Sequence, residues 1–319
     1  MSQTLSIVIP CYNEQEALPQ SIAQVRKIMA ASLPHVGYEI LLVDDGSTDG
    51  TLGLIKELAR EDGRIKYLSF SRNFGKEAAI YAGLSHACGA YVVMMDADLQ
   101  DPPELLPQLY HAVTAEGFDS AATRRVTRRG EPVIRSLFAR LFYKLIGRLS
   151  NVEIMDGARD FRIMNRKFVD ALLDMKEYNR FSKGLFGWVG FHTKWIEFEN
   201  VERVAGETKW SFWKLFKYSV EGLVAFSTAP LVAASLVGFL LCSLSGVATV
   251  FIVVRKLLFG DPVDGWSSLA CIMCFLGGIQ LFFLGIVGQY LAKTYMEVKN
   301  RPIYVIGESN VAQEKPCKG

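Results

Sequence analysis

The chain has 319 residues, half of them hydrophobic, and its formal net charge is only +2. This length exceeds that of one average domain, so we expect a folded core joined to a second element. The small net charge provides no global field that would favour nucleic acid, and we expect no nucleic-acid partner. The first ten residues lack a basic segment followed by a long apolar one, so they predict the first strand of a cytoplasmic domain and not a signal peptide.

The first 120 residues alternate short apolar runs with amphipathic stretches. The apolar runs predict strands at Leu5–Pro10, Glu39–Val43, Lys66–Phe70 and Tyr91–Met95. The stretches between them predict helices at Glu16–Ala31, Gly50–Glu61 and Lys76–Cys88. This alternation predicts an α/β fold with a mostly parallel sheet and helices on both faces. Ligands bind such sheets beyond the carboxyl ends of the strands, so we expect the chemistry directly after each strand.

The second half of the chain contains two long stretches without charge. No charged residue lies between Glu221 and Arg255, and none lies between Asp264 and Lys293. About 20 apolar helical residues cross a bilayer core, so the two stretches predict a transmembrane hairpin. Basic residues before the first stretch and after the second favour both termini in the cytoplasm, although Arg255 and Lys256 act in the opposite direction.

The residues just before the first span predict an amphipathic helix in the membrane interface. Trp210, Trp213 and Phe216 recur at three-residue spacing with lysines among them, which is typical of such helices. An ordinary surface helix is the alternative. The predicted organisation is a cytoplasmic catalytic domain, the interfacial helix, two transmembrane helices and a cytoplasmic C-terminal tail. In that order they occupy residues 1–208, 209–224, 225–255, 265–293 and 294–319.

The strongest local signal follows the fourth predicted strand, in Asp96-Ala-Asp-Leu-Gln-Asp-Pro-Pro103. Asp96 and Asp98 are two residues apart in extended chain, so both carboxylates can approach one cation, and Gln100 could add a neutral oxygen. Such oxygen ligands suit Mg²⁺ or Mn²⁺, and Mg²⁺ commonly joins one or two carboxylates to substrate phosphates. An acidic pair that is merely solvated is the alternative for this motif alone.

Two further polar clusters follow predicted strands. Asp44 and Asp45 could accept hydrogen bonds from a ribose or a base, whereas Ser47, Thr48 or Asp49 in the same segment could simply cap the next helix. After the first strand, the segment 9–14 contains an aromatic ring that could stack on a base and a carboxylate that could hydrogen-bond to it. Clusters at successive strand ends together indicate a nucleotide site.

These clusters, with the segments Ser71–Lys76, Asp160–Met164 and Gly206–Lys209, resemble the inverting family-two glycosyltransferases with the A-type nucleotide-sugar fold. The finer similarity is to the polyprenyl-phosphate branch, including dolichol-phosphate mannose synthase and bacterial undecaprenyl-phosphate glucosyltransferases. The resemblance implies metal-dependent transfer of a sugar from a UDP-sugar, with glucose as the first expectation, to undecaprenyl phosphate with inversion. The enzyme would lie in the cytoplasmic membrane as a multi-pass protein, with its catalytic domain in the cytoplasm. Related proteins assemble as homo-oligomers, but the residues leave the oligomeric state open.

The resemblance also assigns roles to individual positions. The residues matched to donor binding are Pro10, Tyr12, Glu14, Asp44, Asp45, Lys76, Asp96, Arg203 and Lys209. Those matched to the metal are Asp96, Asp98 and Gln100, and those matched to the acceptor phosphate are Arg124, Arg128 and Arg135. The residues matched to catalysis are Asp98, Asp160 and Arg162. Guanidinium groups suit phosphate oxygens, although any single arginine could equally be solvated or lipid-facing.

Asp160 matches an aspartate proposed as a base in bacterial relatives. A phosphate monoester is largely a dianion at neutral pH, so it needs little deprotonation. Asp160 could instead position Arg162 or a sugar hydroxyl. Many relatives have Gly where this chain has Arg159, which is a departure from the family pattern.

Two other functions share part of this pattern. A processive polysaccharide synthase shares the nucleotide site, but its Q-x-x-R-W motif is absent from the sequence. A non-catalytic membrane protein that binds nucleotide sugars is the alternative from another class, and the intact Asp96, Asp98 and Gln100 set argues against it.

Overall fold

The computed structural model describes residues 4–126, 155, 157–199, 229–259 and 265–311. The strands are β1 Thr4–Cys11, β2 Gly37–Asp44, β3 Ile65–Phe70, β4 Tyr91–Met94, β5 Ser120–Arg125, β6 Ala158–Asn165, β7 Thr193–Phe198 and β8 Ile306–Ser309. The helices, numbered in chain order, are α1 Leu18–Ser32, α2 Thr51–Glu61, α3 Lys76–His86, α4 Leu106–Thr114, α5 Arg166–Asp174, α6 Ser182–Trp188, α7 Ala229–Phe259 and α8 Trp266–Val298. The predicted interfacial helix 209–224 and the predicted interhelical loop lie outside the described residues.

One sheet organises the domain, with strand order β7-β5-β6-β4-β1-β2-β3-β8. Strands β3, β2, β1 and β4 are mutually parallel, as predicted. The sheet is nevertheless mixed, because β6 runs antiparallel to both β4 and β5. The predicted α/β architecture is therefore confirmed, with a larger antiparallel share than the strand–helix alternation indicated.

Helices cover both faces of the sheet because the central strands are apolar on both sides. In β1, Leu5, Ile7 and Ile9 pack into one buried cluster together with residues of α1, α2 and α4. Val8 points the other way, into a second cluster with residues of α3, α5 and α6. A strand buried on both faces shows a continuous apolar run, which explains why β1 is clear in the sequence. The polar strand ends therefore remain at the edge of the sheet.

The C-terminal segment, which lies in the predicted tail 294–319, returns to the α/β domain. Strand β8 pairs antiparallel with β3. Tyr304 stacks on Phe70 with ring centroids 5.1 Å apart, and Lys56 forms an ion pair of 2.5 Å with Glu308. All four residues of β8 are exposed. A short exposed strand has no apolar alternation, which is why the sequence pattern does not reveal it.

The predicted membrane spans 225–255 and 265–293 overlap α7 and α8. Both helices carry many exposed large apolar side chains, including Phe239 and Leu281. Within the described part of the chain, one stretch, Phe275–Val298, is both long and apolar enough to cross a membrane. Near the end of α8, the Glu297 carboxylate accepts hydrogen bonds from the backbone N–H of Tyr178 (3.0 Å) and of Asn179 (3.2 Å). This helix is therefore attached directly to the α/β domain.

Candidate active site

A cleft of about 490 Å³ lies at the carboxyl ends of the parallel strands, where the sequence predicted the chemistry. The predicted site residues that line it are Pro10, Tyr12, Glu14, Asp45, Lys76, Asp96, Asp98, Gln100 and Asp160. Most of the predicted donor and metal positions thus come together in one space. Arg128, Arg135, Arg203 and Lys209 lie outside the described residues.

The loops after β1 and β2 are bonded to each other at one side of the cleft. Asn13, at a left-handed φ of 57°, accepts a hydrogen bond from the Thr48 N–H at 2.9 Å. Its own N–H donates to the Ser47 hydroxyl at 3.0 Å. Ser47 and Thr48 therefore connect the loops, and it is Asp49 that accepts the N–H of Thr51 at the start of α2. This arrangement holds the cleft side rigid.

Tyr12 and Asp45 present different chemistry on that side. The Tyr12 side chain is exposed, so its ring is available for stacking. Asp45 accepts hydrogen bonds from the backbone N–H of Phe74 (2.7 Å) and of Gly75 (2.9 Å). Burial raises the pKa of Asp45, and these N–H groups oppose that shift. The loop preceding α3 therefore fixes the orientation of this carboxylate in the cleft.

Asp44 is not brought to the cleft, contrary to its predicted place among the donor contacts. It is 1 % exposed, and its carboxylate accepts hydrogen bonds from the Ser47 N–H (3.1 Å) and the Ser69 hydroxyl (2.7 Å). These bonds tie the end of β2 to its own loop and to β3. The Asp44 side chain is thus buried beneath the cleft surface and does not line the cleft.

The acidic segment after β4 places Asp96 and Asp98, which are two positions apart in the chain, in the cleft. Asp98 accepts a hydrogen bond from the Gln100 N–H at 3.1 Å. The Gln100 side-chain oxygen accepts one from Arg159 at 3.1 Å. Among the described residues no group of three or more His, Cys, Asp and Glu could hold a metal. Asp96, Asp98 and the Gln100 amide oxygen, which is already bonded to Arg159, are the groups here that could hold Mg²⁺ or Mn²⁺ together with substrate phosphates.

Lys76 joins two of the acids across the cleft. Its ammonium lies 2.7 Å from Asp96 and 2.5 Å from Asp160. Burial opposes its charge, but Asp160 and Asp96 raise the pKa of Lys76 above its ordinary value. Burial alone would raise the pKa of Asp160, but Lys76 and then Lys183 outweigh it and keep that pKa well below its usual range. Asp160 is therefore a poor proton acceptor near neutral pH.

Arg159 and Lys183 also line the cleft, although neither was predicted from the sequence to lie there. Arg159 forms an ion pair of 2.7 Å with Asp101. Burial raises the pKa of Asp101 to about 6, which Arg159 partly offsets. Lys183 lies on α6 and donates to the Ala158 carbonyl at 3.2 Å. The sequence offered a signal for Arg159, because it directly precedes Asp160. Lys183 lies in no recognised motif.

Arg162 and Arg124 lie outside this cleft, although both were predicted site residues. Arg162 is 3 % exposed, and its guanidinium lies 3.7 Å from the ring centroid of Phe186. It lines a second cavity and not the catalytic cleft, and it lies two positions after Asp160 along β6. The Arg124 guanidinium lies 3.5 Å from the carboxylate of Glu197 on the neighbouring strand β7. Neither arginine therefore shares the space that holds the acidic pair.

An α/β sheet with an acidic pair after β4 and polar loops after β1 and β2 defines an enzyme of the A-type nucleotide-sugar transferase fold. The family model described as "Glycosyl transferase family 2" matches residues 6–173. The chain belongs to this family and is a glycosyltransferase.

The relatives extend over nearly the whole chain. A Bacillus subtilis (strain 168) protein named as the glycosyltransferase CsbB is 43% identical over 310 residues, covering 96% of this chain and 92% of the relative. The SfII prophage-derived bactoprenol glucosyl transferase of Shigella flexneri is 40% identical over 306 residues, covering 96% and 98%. Glucosyl-3-phosphoglycerate synthase from Mycobacterium tuberculosis, solved with Mn²⁺ and UDP-glucose, has 20% identity and a TM-score of 0.44, covering 70% of this chain and 77% of that one.

Proposed function

We propose that the protein transfers glucose from UDP-glucose to undecaprenyl phosphate at the cytoplasmic face of the membrane, with inversion at the anomeric carbon. The observation that carries this proposal is the 40% identity to a bactoprenol glucosyl transferase across 98% of that relative's length. The match extends beyond the nucleotide domain into α7 and α8. A shared donor site alone would not require those helices to be similar.

The cleft offers groups suited to each part of a UDP-sugar. The exposed Tyr12 ring can stack on uracil, and Asp45 can accept a hydrogen bond from the base or ribose. Asp96 and Asp98, with Gln100, would hold a Mg²⁺ or Mn²⁺ ion. When bound, such an ion neutralises charge that develops on the leaving diphosphate. The acidic pair, which would otherwise repel a diphosphate, is thereby made compatible with this donor.

Lys76 and Asp160 supply the other charges that act on the donor in this proposal. Lys76 is a cation at the cleft beside Asp96, where it can lower the cost of bringing a diphosphate to an acidic site. Asp160 stays ionised, so it acts by holding Lys76 and shaping the charge at the sugar carbon. The acceptor phosphate is already largely dianionic at neutral pH and attacks without a base. One displacement then gives inversion.

The membrane arrangement follows from the apolar helices. We propose that α7 and α8 cross the bilayer as a hairpin, with the catalytic domain and both termini in the cytoplasm. The exposed apolar side chains on both helices support insertion in lipid. The contacts of Glu297 and β8 would keep the domain beside the membrane. This placement holds the catalytic groups close to a lipid-borne acceptor and reduces the entropy cost of the encounter.

Radiolabel transfer tests the proposal. Purified full-length protein would be incubated with undecaprenyl phosphate, Mn²⁺ or Mg²⁺ and one labelled UDP-sugar from a panel. We expect label in the lipid fraction from UDP-glucose, and loss of that label with EDTA and in Asp98→Asn. Asp174→Asn, which changes an aspartate at the end of α5 outside the cleft lining, is the matched control. Transfer from a different UDP-sugar would correct the donor, and no labelled lipid from any donor would contradict the reaction.

A further inference from the structure

A second cavity adjoins the catalytic cleft on the side of β7. Its volume is about 320 Å³, and it is lined by residues of β6, α6 and the start of β7. Arg159 and Lys183 line both spaces, so the two are neighbours. A group bound in the second cavity would therefore lie beside the catalytic cleft without occupying the donor position.

The two spaces differ sharply in charge. The catalytic cleft has several carboxylates in its lining, among them Asp96, Asp98 and Asp160. The second cavity is lined by Arg159, Arg162 and Lys183, and no Asp or Glu of the described chain lines it. An anion that lacks a metal would be repelled by the first space and attracted by the second.

Arg162 is the feature that indicates a ligand. It is 3 % exposed, and its Nε and Nη1 atoms are buried without a hydrogen-bond partner in the described structure. Buried polar groups are normally paired, and leaving donors of a charged group unpaired is costly. Two half-buried arginines are better satisfied: Arg166 leaves Nη1 unpaired but donates through Nε and Nη2 to the carbonyls of Ala87 and Gly89, and Arg159 pairs with Asp101.

The surroundings of Arg162 position its guanidinium and leave its Nε and Nη1 donors unpaired. The Phe186 ring lies 3.7 Å below it, and the Trp195 ring centroid is 6.0 Å away. Aromatic faces stabilise a cation but accept no conventional hydrogen bond from its edge. Burial lowers the pKa of Arg162 to about 9, so it remains a cation at neutral pH. Its N–H fork is thus preorganised for a planar or tetrahedral oxyanion.

We propose that the second cavity binds a phosphate group through Arg162, with Lys183 at the boundary to the catalytic cleft. If the proposed function holds, this phosphate is the headgroup of the polyprenyl acceptor, held before it attacks the sugar. A free inorganic phosphate has the same chemistry and is the other source. Arg162, two positions after Asp160 along β6, is then a ligand-binding residue and does not contact the donor.

Equilibrium binding tests this inference without relying on turnover. Full-length protein in phosphatidylcholine nanodiscs would be titrated with geranyl monophosphate, inorganic phosphate and, for the donor site, UDP with Mn²⁺. We expect Arg162→Met to weaken geranyl monophosphate binding at least about tenfold and to leave UDP affinity within about twofold. Arg162→Lys, which keeps the charge and loses the fork, should give a smaller loss. Arg166→Met is the matched control, because it removes a half-buried arginine that already has carbonyl partners outside both cavities.

The outcomes separate the possibilities. Tighter binding of geranyl monophosphate than of inorganic phosphate identifies a lipid headgroup, and equal affinities identify free phosphate. Unchanged affinity for both probes in Arg162→Met overturns the inference. If that variant fails to bind UDP and is misfolded, Arg162→Lys decides: unchanged phosphate affinity in a folded Arg162→Lys protein overturns the inference. If wild-type protein transfers no sugar to a polyprenyl phosphate yet loses phosphate binding with Arg162, the proposed function fails while this site stands.

Discussion

Replacing Asp160 by Asn removes one charge from the Lys76 pair and keeps the shape of the side chain. Asp160 is 16 % exposed and its carboxylate lies 2.5 Å from the Lys76 ammonium, which itself is 46 % exposed. Two unit charges about 4 Å apart attract by about 4 kcal/mol at an effective dielectric constant near 20. Desolvation of the pair and solvent screening at the half-exposed lysine reduce this to a net of about 1–2 kcal/mol.

The same magnitude sets the expected kinetic effect. If the oriented Lys76 cation acts in the transition state, losing about 1–2 kcal/mol slows kcat/KM by about 5- to 30-fold. Lys76 keeps Asp96 as a partner, so we expect the fold to survive. For a domain of roughly 200 residues, the thermal midpoint should fall by about 2–8 °C. A general base would instead contribute about 10²–10⁴-fold.

Initial rates between pH 5.5 and 9 distinguish the two roles. Because Asp160 stays ionised over this range, any acidic limb should come from the acceptor phosphate, with its second pKa near 6, and should persist in Asp160→Asn. Asp170→Asn is the control, since Asp170 pairs with Arg166 at 3.8 Å, away from the cleft. An acidic limb that disappears in Asp160→Asn would instead indicate a general base, and a rate within about twofold of wild type would exclude the electrostatic role of Asp160.

Three further variants test the fold around the site. Tyr304→Ala removes the ring stacked on Phe70 and should lower the thermal midpoint by about 5–10 °C, from about 2–3 kcal/mol of lost packing; a shift below about 2 °C would contradict the role of the C-terminal segment. Burial raises the pKa of Asp101 to about 6 against its Arg159 partner. The native state therefore keeps a proton that the unfolded chain loses, and stability should fall by up to about 3 kcal/mol as pH rises from about 4 to about 6. Asp101→Asn should flatten that decline in thermal melts at several pH values. A decline in the variant as steep as in wild type would contradict the raised pKa of Asp101. Gly46→Ala should cost more than about 1 kcal/mol and weaken UDP binding, because φ is +66° and the new Cβ would lie 2.5 Å from a backbone carbon; unchanged melting and UDP affinity would exclude this strain.

The elements that could be predicted are those buried on both sides. Predicted and observed bounds differ little for the fourth strand, Tyr91–Met95 against Tyr91–Met94, and for the third helix, Lys76–Cys88 against Lys76–His86. Continuous apolar runs between turn-forming residues mark such strands clearly. Strand β6 carries Arg159, Asp160 and Arg162 among its apolar residues because it borders two polar spaces, so its pattern is weaker.

The site residues that directly follow strands were predictable from the sequence, and those on other elements were less so. Asp45, Asp96 and Asp98 follow strands and line the cleft as expected. Asp44 looked equivalent to Asp45 in the sequence, but adjacent residues at a strand end point in opposite directions and only one reaches the cleft. Lys183 comes from a helix distant in the sequence, and its position depends on how α6 packs against β6.

Lipid mass spectrometry on purified full-length protein supplied with undecaprenyl phosphate, UDP-glucose and Mn²⁺ tests the proposed transfer most directly. We expect a new lipid heavier by one hexosyl group, with UDP released in equal amount, and neither product in Asp98→Asn. Release of UDP without a glycosylated lipid, or a polymer in place of a single added sugar, would contradict transfer of one sugar to a polyprenyl phosphate.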